Sequence, residues 1–322
     1  MFVLAILLAA TLSYALNGLA VRGIGFAAPL DVPNDRSLHT RPVPRIGGIG
    51  IVAGVSASLI AVDGFEGVIG LAAALAVISL WDDWRPLPAV LRLAGHLAAA
   101  AAFSLLVIDA APLPTVLLVV AIAWMTNLYN FMDGSDGLAG GMGAIGFTIY
   151  AAAAAIAGDF ALATTGACVA AAALAFLRFN FHPARIFMGD VGSIPLGFLA
   201  GALGAWGVAH EIWPIWFPVV VFAPFAVDAS LTLLRRLVRG DRIWQAHRSH
   251  YYQRLVLMGW GHRRTALAEY ALMGTTGAAA LLALVSPPIW QAVVLVALGI
   301  AYAVLAVLVD RRWAAASLSQ NS

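Results

Sequence analysis

The sequence predicts an all-α polytopic membrane protein, a bundle of about eleven transmembrane helices forming one domain over residues 1–322. Two observations carry this. Apolar residues make up 62% of the chain and charged residues 11%, where a soluble domain sits nearer half and a quarter; the mean hydropathy is +0.91. All 18 basic residues are arginines. They gather in the segments 22–45, 85–92, 178–185, 235–264 and 311–312, with long apolar stretches between them. A net charge of +2 is too small to argue for a nucleic-acid partner. The one cysteine, Cys168, lies inside an Ala-rich apolar run; it can form no internal disulfide and reads as buried packing.

A spanning helix needs about 20 mostly apolar residues. On that rule the helices fall at 2–21, 46–62, 67–80, 89–108, 112–128, 138–157, 160–177, 194–209, 213–238, 264–284 and 288–309. The first lacks the basic flank and cleavage site of a signal peptide, so it reads as a retained helix. The turns after even-numbered helices carry Asp63, Glu66, Asp109, Asp159 and Glu211 and no arginine. The loops after odd-numbered helices hold or adjoin every arginine, and cytoplasmic loops are the arginine-rich ones. The N-terminus is therefore expected in the periplasm of a bacterial cell, with the protein in its cytoplasmic membrane and the residue 310–322 tail inside. Short turns outside and long polar loops inside suggest one working face, the cytoplasmic one.

Those inner segments carry the chemistry. After helix 1 the chain runs from Asp31 to Gly48 through Pro33, Pro42 and Pro44, which excludes a regular helix. It reads either as a solvated basic loop or as a shaped strap turning Arg36, His39 and Arg45 toward an anion. After helix 3 stand Asp82 and Asp83. Adjacent carboxylates at the negative end of a helix repel unless a cation or proton relieves them, so they suggest a cation site or a general base.

After helix 5, Asn127, Asn130, Asp133 and Asp136 recur every third position. Each such step rotates about 300° on a helix, so neighbours share a face while the series drifts. Gly134 and Gly137 are expected to break the helix and let its two halves serve different ligands. Ionisable groups at this depth are functional by default. After helix 7, Gly189 and Gly192 bracket Asp190 at a helix entrance, which lets backbone amides approach a phosphate. After helix 9, residues 237–264 hold His247, Arg248, His250 and Arg254. Some arginines there are ordinary positive-inside decoration; others could clamp phosphate. Asp228 lies two turns from Arg235 on one helix face, which suits an ion pair or a polar lining, and Pro224 is expected to kink that helix. Carboxylates and phosphates around a hard, oxygen-liking ion are how Mg²⁺ is held. The residues alone thus point to Mg²⁺-assisted phosphoryl transfer between a soluble charged substrate and a lipid, with Mn²⁺ as the alternative ion.

These segments resemble the polyprenyl-phosphate N-acetylhexosamine-1-phosphate transferases, glycosyltransferase family 4. The pieces, in order over nearly the whole chain, are the strap from Asp31 to His39, Asp82-Asp83, the Asn127 to Leu138 run, Phe187 to Ser193, and the His247 to Arg254 loop. The resemblance implies transfer of a sugar-1-phosphate from a UDP-amino sugar to undecaprenyl phosphate, with release of UMP. It implies Asp190 as the leading Mg²⁺ ligand and Asn130 as the second. Asp82 and Asp83 would flank the reacting phosphates, one of them deprotonating the lipid phosphate. Asp136 and Phe187 would hold the uracil, Asp133 would lie near the ribose or sugar, and His247, Arg248 and His250 would grip the diphosphate or sugar. Arg36 and His39 are included as substrate-binding through the strap.

One departure narrows the branch. Peptidoglycan-precursor transferases carry three consecutive histidines in the last motif, whereas this chain has His247-Arg-Ser-His250. That resembles the branch initiating O-antigen or related surface glycans, with N-acetylglucosamine, N-acetylgalactosamine or a 6-deoxy amino sugar as the donor's sugar. The rival reading is a transporter or flippase for an anionic solute. Transporters place such sites near the bilayer midplane, often between inverted repeats, and this chain shows neither. Gly- and Ala-rich helices pack closely within or between chains alike, so the oligomeric state is not legible.

Overall fold

The computed structural model describes residues 1–24, 29–33, 37–38, 40–59, 64–242 and 247–320, without the side chains of 317–320. Arg36 and His39 lie outside the described residues. The elements, in order, are α1 (Phe2–Val21), β1 (Leu30–Asp31), β2 (Val43–Pro44), α2 (Gly47–Leu59), α3 (Glu66–Trp84), α4 (Ala89–Ala102, continued by a π-helical turn Phe103–Val107), α5 (Pro112–Phe131), α6 (Leu138–Ala157), α7 (Phe160–Asn180), α8 (Asp190–Ala209), α9 (Trp216–Val221), α10 (Ala223–Val238), α11 (Tyr251–Leu255, continued by a π-helical turn Val256–Trp260), α12 (Gly261–Leu284) and α13 (Pro288–Gln320).

Every expected span corresponds to a helix or a helix pair, and the fold is all-α and polytopic. Nine segments among the described residues are long and apolar enough to cross a membrane. Among the described residues two expected spans are shorter. Helix α2 has 13 described residues, to Leu59, about 20 Å at 1.5 Å per residue against about 30 Å of hydrocarbon. The ninth expected helix is two helices, α9 and α10, that part at Phe222 (φ −98°, ψ 13°). Pro224, in the first turn of α10, has no N–H with which to continue a ladder from α9. The expected kink is thus a full break.

Boundaries also move where polar residues sit. Helix α3 continues to Trp84, so Asp82 and Asp83 occupy its last turn rather than a loop. Helix α8 starts at Asp190, four residues earlier than expected, so Asp190, Gly192 and Ser193 form its first turn. The long polar stretch before α12 folds back into α11.

Helix α8 is the central element, mostly buried, and packs on α5, α3 and α2. Helices α6 and α7 pack on each other, α7 on α1, and α1 on α2. Small residues permit these close approaches. At the first turns of α2 and α8, a Cβ on Gly48 would stand 2.2 Å from the Gly192 nitrogen, so the two backbones touch there. Helix α13 is the peripheral element. Its apolar stretch is unburied, and Asp310 ties its C-terminal half to Arg235 (2.5 Å) and Arg254 (2.9 Å).

The strap is pinned. β1 and β2 pair antiparallel, Leu30 opposite Pro44 and Asp31 opposite Val43. The Phe187 N–H donates to the Pro44 carbonyl at 2.7 Å, while the Gly47 and Gly48 N–H groups donate to Phe187 and Met188, each at 2.9 Å. The strap and the α7–α8 loop are therefore one hydrogen-bonded unit at the end of the bundle.

Candidate active site

Two cavities open at this end. The first, about 350 Å³, is polar: Asp31, Arg45, Asn130, Asp133, Asp136, Phe187, Asp190, His247, Gln253 and His262 line it. The second, about 430 Å³, lies among α4, α5, α8 and α10. Its walls mix Leu93, Phe131, Ile194 and Leu233 with Arg92, His96, Asn127 and His250. Asn130, Asp190, His247 and Gln253 line both cavities, so they form a shared wall.

Asp190 stands at the centre of that wall. Gly189 precedes it at φ +70°, in the region that favours glycine. A Cβ on Gly189 would also meet the Arg45 carbonyl at 2.5 Å. As first residue of α8, Asp190 sits at the positive end of a helix dipole. Asn130 Nδ2 donates to Asp190 Oδ1 at 3.0 Å and to Ser193 Oγ at 2.9 Å. Arg45 Nη2 lies 3.5 Å from Asp190 Oδ1, and Arg92 Nη1 lies 3.7 Å from Oδ2.

Asp82 and Asp83 stand one layer behind. Neither lines either of the two large cavities. Asp83 holds Arg45 at 2.6 Å, and Asp82 holds Arg92 at 3.3 Å while accepting from the Leu87 N–H at 2.5 Å. Each acid thus orients an arginine that lines one cavity: Arg45 the polar one, Arg92 the mixed one. Asp83 keeps Oδ2 buried and without a partner.

The loop between α5 and α6 supplies the next group. Burial, and then the Asp190 carboxylate, hold Asp133 well above the usual carboxylate range. Asp136 accepts from the Ala184 N–H at 3.1 Å and pairs with His182 Nδ1 at 2.7 Å, both through Oδ2. The His182 and His262 rings stack at 5.5 Å, and His262 Nε2 bonds the Leu38 carbonyl at 3.0 Å, tying α12 to the strap. Phe187 is half-buried on the wall of the same cavity.

The His247–Arg254 loop closes the site. His247 lines both cavities and His250 the second. Arg248, between them, is exposed and lines neither. Ser249 Oγ lies 2.9 Å from His247 Nδ1 and its N–H points at the same atom, so the ring carries its proton on Nε2. Burial, and then His250 and Arg236, lower His247 to about 4, so it is neutral at pH 7 and donates without charge. His250 Nδ1 lies 3.2 Å from Asp228 Oδ1. The Tyr251 and Tyr252 N–H groups donate to the same carboxylate at 2.9 and 3.0 Å. Asp228 therefore caps α11 and does not pair with Arg235, whose partner is Asp310.

Sequence reasoning named Asp190, Asn130, Asp133, Asp136, Phe187, His247 and His250, and the fold brings them together. It passed over Arg92, His96, Ser193, Gln253 and His262 as site residues. For Arg92 and His96 one signal existed: they lie four apart, hence on one helix face, in an otherwise apolar segment.

Among the described residues no three Asp, Glu, His or Cys side chains form a metal site by themselves. The donors on hand are the Asp190 carboxylate, the Asn130 amide oxygen left over once its nitrogen is engaged, and the unpartnered Asp83 Oδ2. This oxygen-only, incomplete set fits Mg²⁺, which keeps waters and binds through one or two carboxylates plus substrate phosphates.

The comparisons agree with the motifs. The sequence matches the model of glycosyl transferase family 4 over residues 65–207. A Bacillus subtilis protein named probable undecaprenyl-phosphate N-acetylglucosaminyl 1-phosphate transferase is 31% identical over 282 residues, which cover 81% of this chain and 78% of its own. A decaprenyl-phosphate N-acetylglucosaminephosphotransferase of Mycolicibacterium smegmatis is 30% identical over 319 residues, 83% of this chain and 78% of its own. A phospho-N-acetylmuramoyl-pentapeptide-transferase of Symbiobacterium thermophilum is 38% identical, but over 149 residues, 45% of this chain and 42% of its own. With the loop motifs assembled around Asp190 and relatives matched along most of its length, the chain belongs to glycosyl transferase family 4, the polyprenyl-phosphate N-acetylhexosamine-1-phosphate transferases.

Proposed function

We propose that this protein transfers an N-acetylhexosamine-1-phosphate, N-acetylglucosamine-1-phosphate first among them, from a UDP-sugar to undecaprenyl phosphate. The products are UMP and undecaprenyl-diphospho-sugar, the starting unit of a cell-surface glycan. The observation that carries this reading is the pair of cavities of unlike character meeting at one acid. The polar cavity suits a nucleotide diphosphate-sugar; the mixed cavity, with apolar walls and an arginine, suits a prenyl phosphate. The names of the Bacillus and Mycolicibacterium relatives support the polyprenyl phosphate acceptor and the N-acetylglucosamine unit. The His247-Arg-Ser-His250 run favours a surface-glycan substrate, of O-antigen type, over a muramoyl-pentapeptide. The arginine-bearing loops favour the cytoplasmic face of a bacterial cytoplasmic membrane as the site's location.

A lipid phosphate oxygen attacks the β-phosphorus of the donor. The bond from that phosphorus to the bridging oxygen breaks, and UMP departs with the oxygen and its electron pair. Arg45 and Arg92, held by Asp83 and Asp82, neutralise charge on the two phosphates from opposite cavities. Asp83 has an unpartnered Oδ2 but lines neither cavity, so a proton it takes from the lipid phosphate passes through an intervening water rather than directly. Asp190 and Asn130 would hold Mg²⁺, which when bound supplies charge neutralisation to the diphosphate. Asp133, reluctant to ionise, offers a donor as well as an acceptor to a sugar or ribose hydroxyl. Phe187 stacks on the uracil and Asp136 bonds its edge. His247 donates to the diphosphate through Nε2, and the sequence motifs alone propose Arg248, Arg36 and His39 as further anion-binding residues. Direct attack is favoured because a phosphate monoester is already a competent nucleophile.

The test is UMP release by purified protein from UDP-N-acetylglucosamine, UDP-N-acetylgalactosamine and UDP-N-acetylmuramoyl-pentapeptide, with undecaprenyl phosphate and Mg²⁺. UMP is expected from an amino-sugar donor, only with the lipid present, and not in EDTA. Mn²⁺ is expected to restore activity. UMP release from the muramoyl-pentapeptide donor alone would overturn the branch assignment. Radiolabelled phosphate trapped on the protein without acceptor would replace direct attack with a two-step route through Asp82 or Asp83.

A further inference from the structure

His262 stands at the start of α12 and lines the polar cavity, with its side chain 13% exposed. Both of its ring nitrogens are committed. Nε2 lies 3.0 Å from the Leu38 carbonyl, which can only accept, so Nε2 carries a hydrogen. The Asp136 N–H points at Nδ1 from 3.4 Å. Nδ1 is therefore the bare acceptor of a neutral ring, and Ser135 Oγ donates to it at 2.9 Å. Asp136 Oδ1, 3.9 Å from the same nitrogen, is beyond hydrogen-bond reach. With both nitrogens engaged, the ring has no hydrogen bond to give a substrate; it acts through what it holds.

What it holds is two walls of one cavity. Leu38 belongs to the strap, Ser135 and Asp136 to the α5–α6 loop, and all three line the polar cavity. The His182 ring, paired with Asp136 at 2.7 Å, stacks on His262. Two turns further along α12, Tyr270 donates to the Gly137 carbonyl at 2.7 Å. Helix α12 thus grips the α5–α6 loop at two points, and from the first of them the grip reaches across to the strap. Walls fixed before a ligand arrives lower the ordering cost of binding it. Resting on the donor assignment of the polar cavity, we propose that His262 is a positioning residue for the nucleotide-sugar. In its Nε2–H form it locks the strap to the α5–α6 loop, and it thereby sets affinity for the donor and not for the lipid. The last inner-loop motif ends at Arg254, so this determinant is supplied by α12 itself.

The two halves of this lock are separable. Asparagine places an acceptor oxygen where Nδ1 stood and keeps the bond from Ser135. Glutamine reaches further, places a donor where Nε2 stood, and keeps the bond to Leu38. UDP, the part common to the candidate donors, and undecaprenyl phosphate are each titrated on the detergent-solubilised full chain as wild type, His262→Ala, His262→Asn and His262→Gln. Amide hydrogen exchange of strap peptides and steady-state kinetics accompany the titrations. His262→Ala is expected to weaken UDP binding by about tenfold or more, to raise the KM for the UDP-sugar more than it lowers kcat, and to leave lipid affinity within about twofold. Each amide variant is expected to lose less than alanine does, with strap exchange faster in His262→Asn and near wild type in His262→Gln. Unchanged UDP affinity in His262→Ala would overturn the proposal, and so would equal losses for UDP and lipid, which report packing. If the alanine variant does not fold, wild-type UDP affinity and wild-type strap exchange in His262→Asn overturn it equally. A wild type that binds UDP through His262 yet releases no UMP ends the transfer reading and keeps this contact; one that transfers while His262→Ala keeps its UDP affinity does the reverse.

Discussion

Asp190 is approached by an amide and two arginines at once, so its charge organises the whole wall between the cavities. Replacing it with asparagine keeps its shape and removes that charge. Asp190→Asn is expected to lower UMP release by at least about 100-fold while the protein still purifies as a folded species, judged by size-exclusion profile and thermal melt. Near-normal turnover would sink the metal and phosphate roles together. His247 makes a pH prediction. Its folded value of about 4 lies below its ordinary 6.5, so below pH 6.5 the unfolded chain takes up a proton that the folded chain refuses. Stability is therefore lost as pH falls from 6.5 towards 4, and His247→Gln is expected to remove that part of the loss in melts run across this range. Asp190, Asn130, Asp133 and Asp136 were legible in the sequence because polar groups at membrane depth stand out against an apolar background. Arg92 and His96 were not: they lie inside helix α4, where an arginine reads as decoration and a histidine as core.

Helix α11 exists because Asp228, more than 20 residues upstream, accepts from two of its first N–H groups and from the His250 ring. Asp228→Ala leaves those donors buried and unpaired. The expected cost is about 1–3 kcal/mol, read as a lower melting temperature. A larger relative fall in kcat is expected, because His247, His250 and Gln253 all hang on this cap. Asp228→Asn, which keeps an acceptor oxygen, is expected to recover most of the stability; if it behaves like alanine, the cap is not what matters. Local pattern could not disclose this helix. The stretch before α12 is polar and short of periodicity, and its stabilising group comes from α10. Equally, the extensions of α3 and α8 past their apolar cores carry polar residues paired with Arg45 of the strap, Arg92 of α4 and Asn130 of α5, so hydropathy alone stopped too early. The break at Phe222 was half legible: Pro224 marked the place, but a kink and a full break look alike in one dimension.

At the scale of the molecule, the alternation of arginine-rich and arginine-free connections revealed which loops share a face, and the fold joins those loops into one site. What alternation could not reveal is depth, that is, which acids face a cavity and which stand behind an arginine. The peripheral helix α13 also reaches the site. Asp310 bonds Arg254, Arg254 Nε donates to the Ser249 carbonyl at 2.8 Å, and Ser249 bonds His247. Asp310→Ala strands the buried Arg254 side chain, at an expected cost of about 1–2 kcal/mol. Because that relay ends on His247, a few-fold rise in KM for the UDP-sugar should accompany the drop in melting temperature; a melt that drops with unchanged kinetics would cut the relay.

The shared partition of Asn130, Asp190, His247 and Gln253 has a kinetic corollary. Two chambers divided by one wall can fill in either order, and the joined product must straddle the wall before it can go. A blocker lodged on the donor side would compete with nucleotide yet leave lipid docking intact; one on the lipid side would show the mirror image. Only a molecule bridging the partition would compete with both, and it would draw on the binding energy of both chambers.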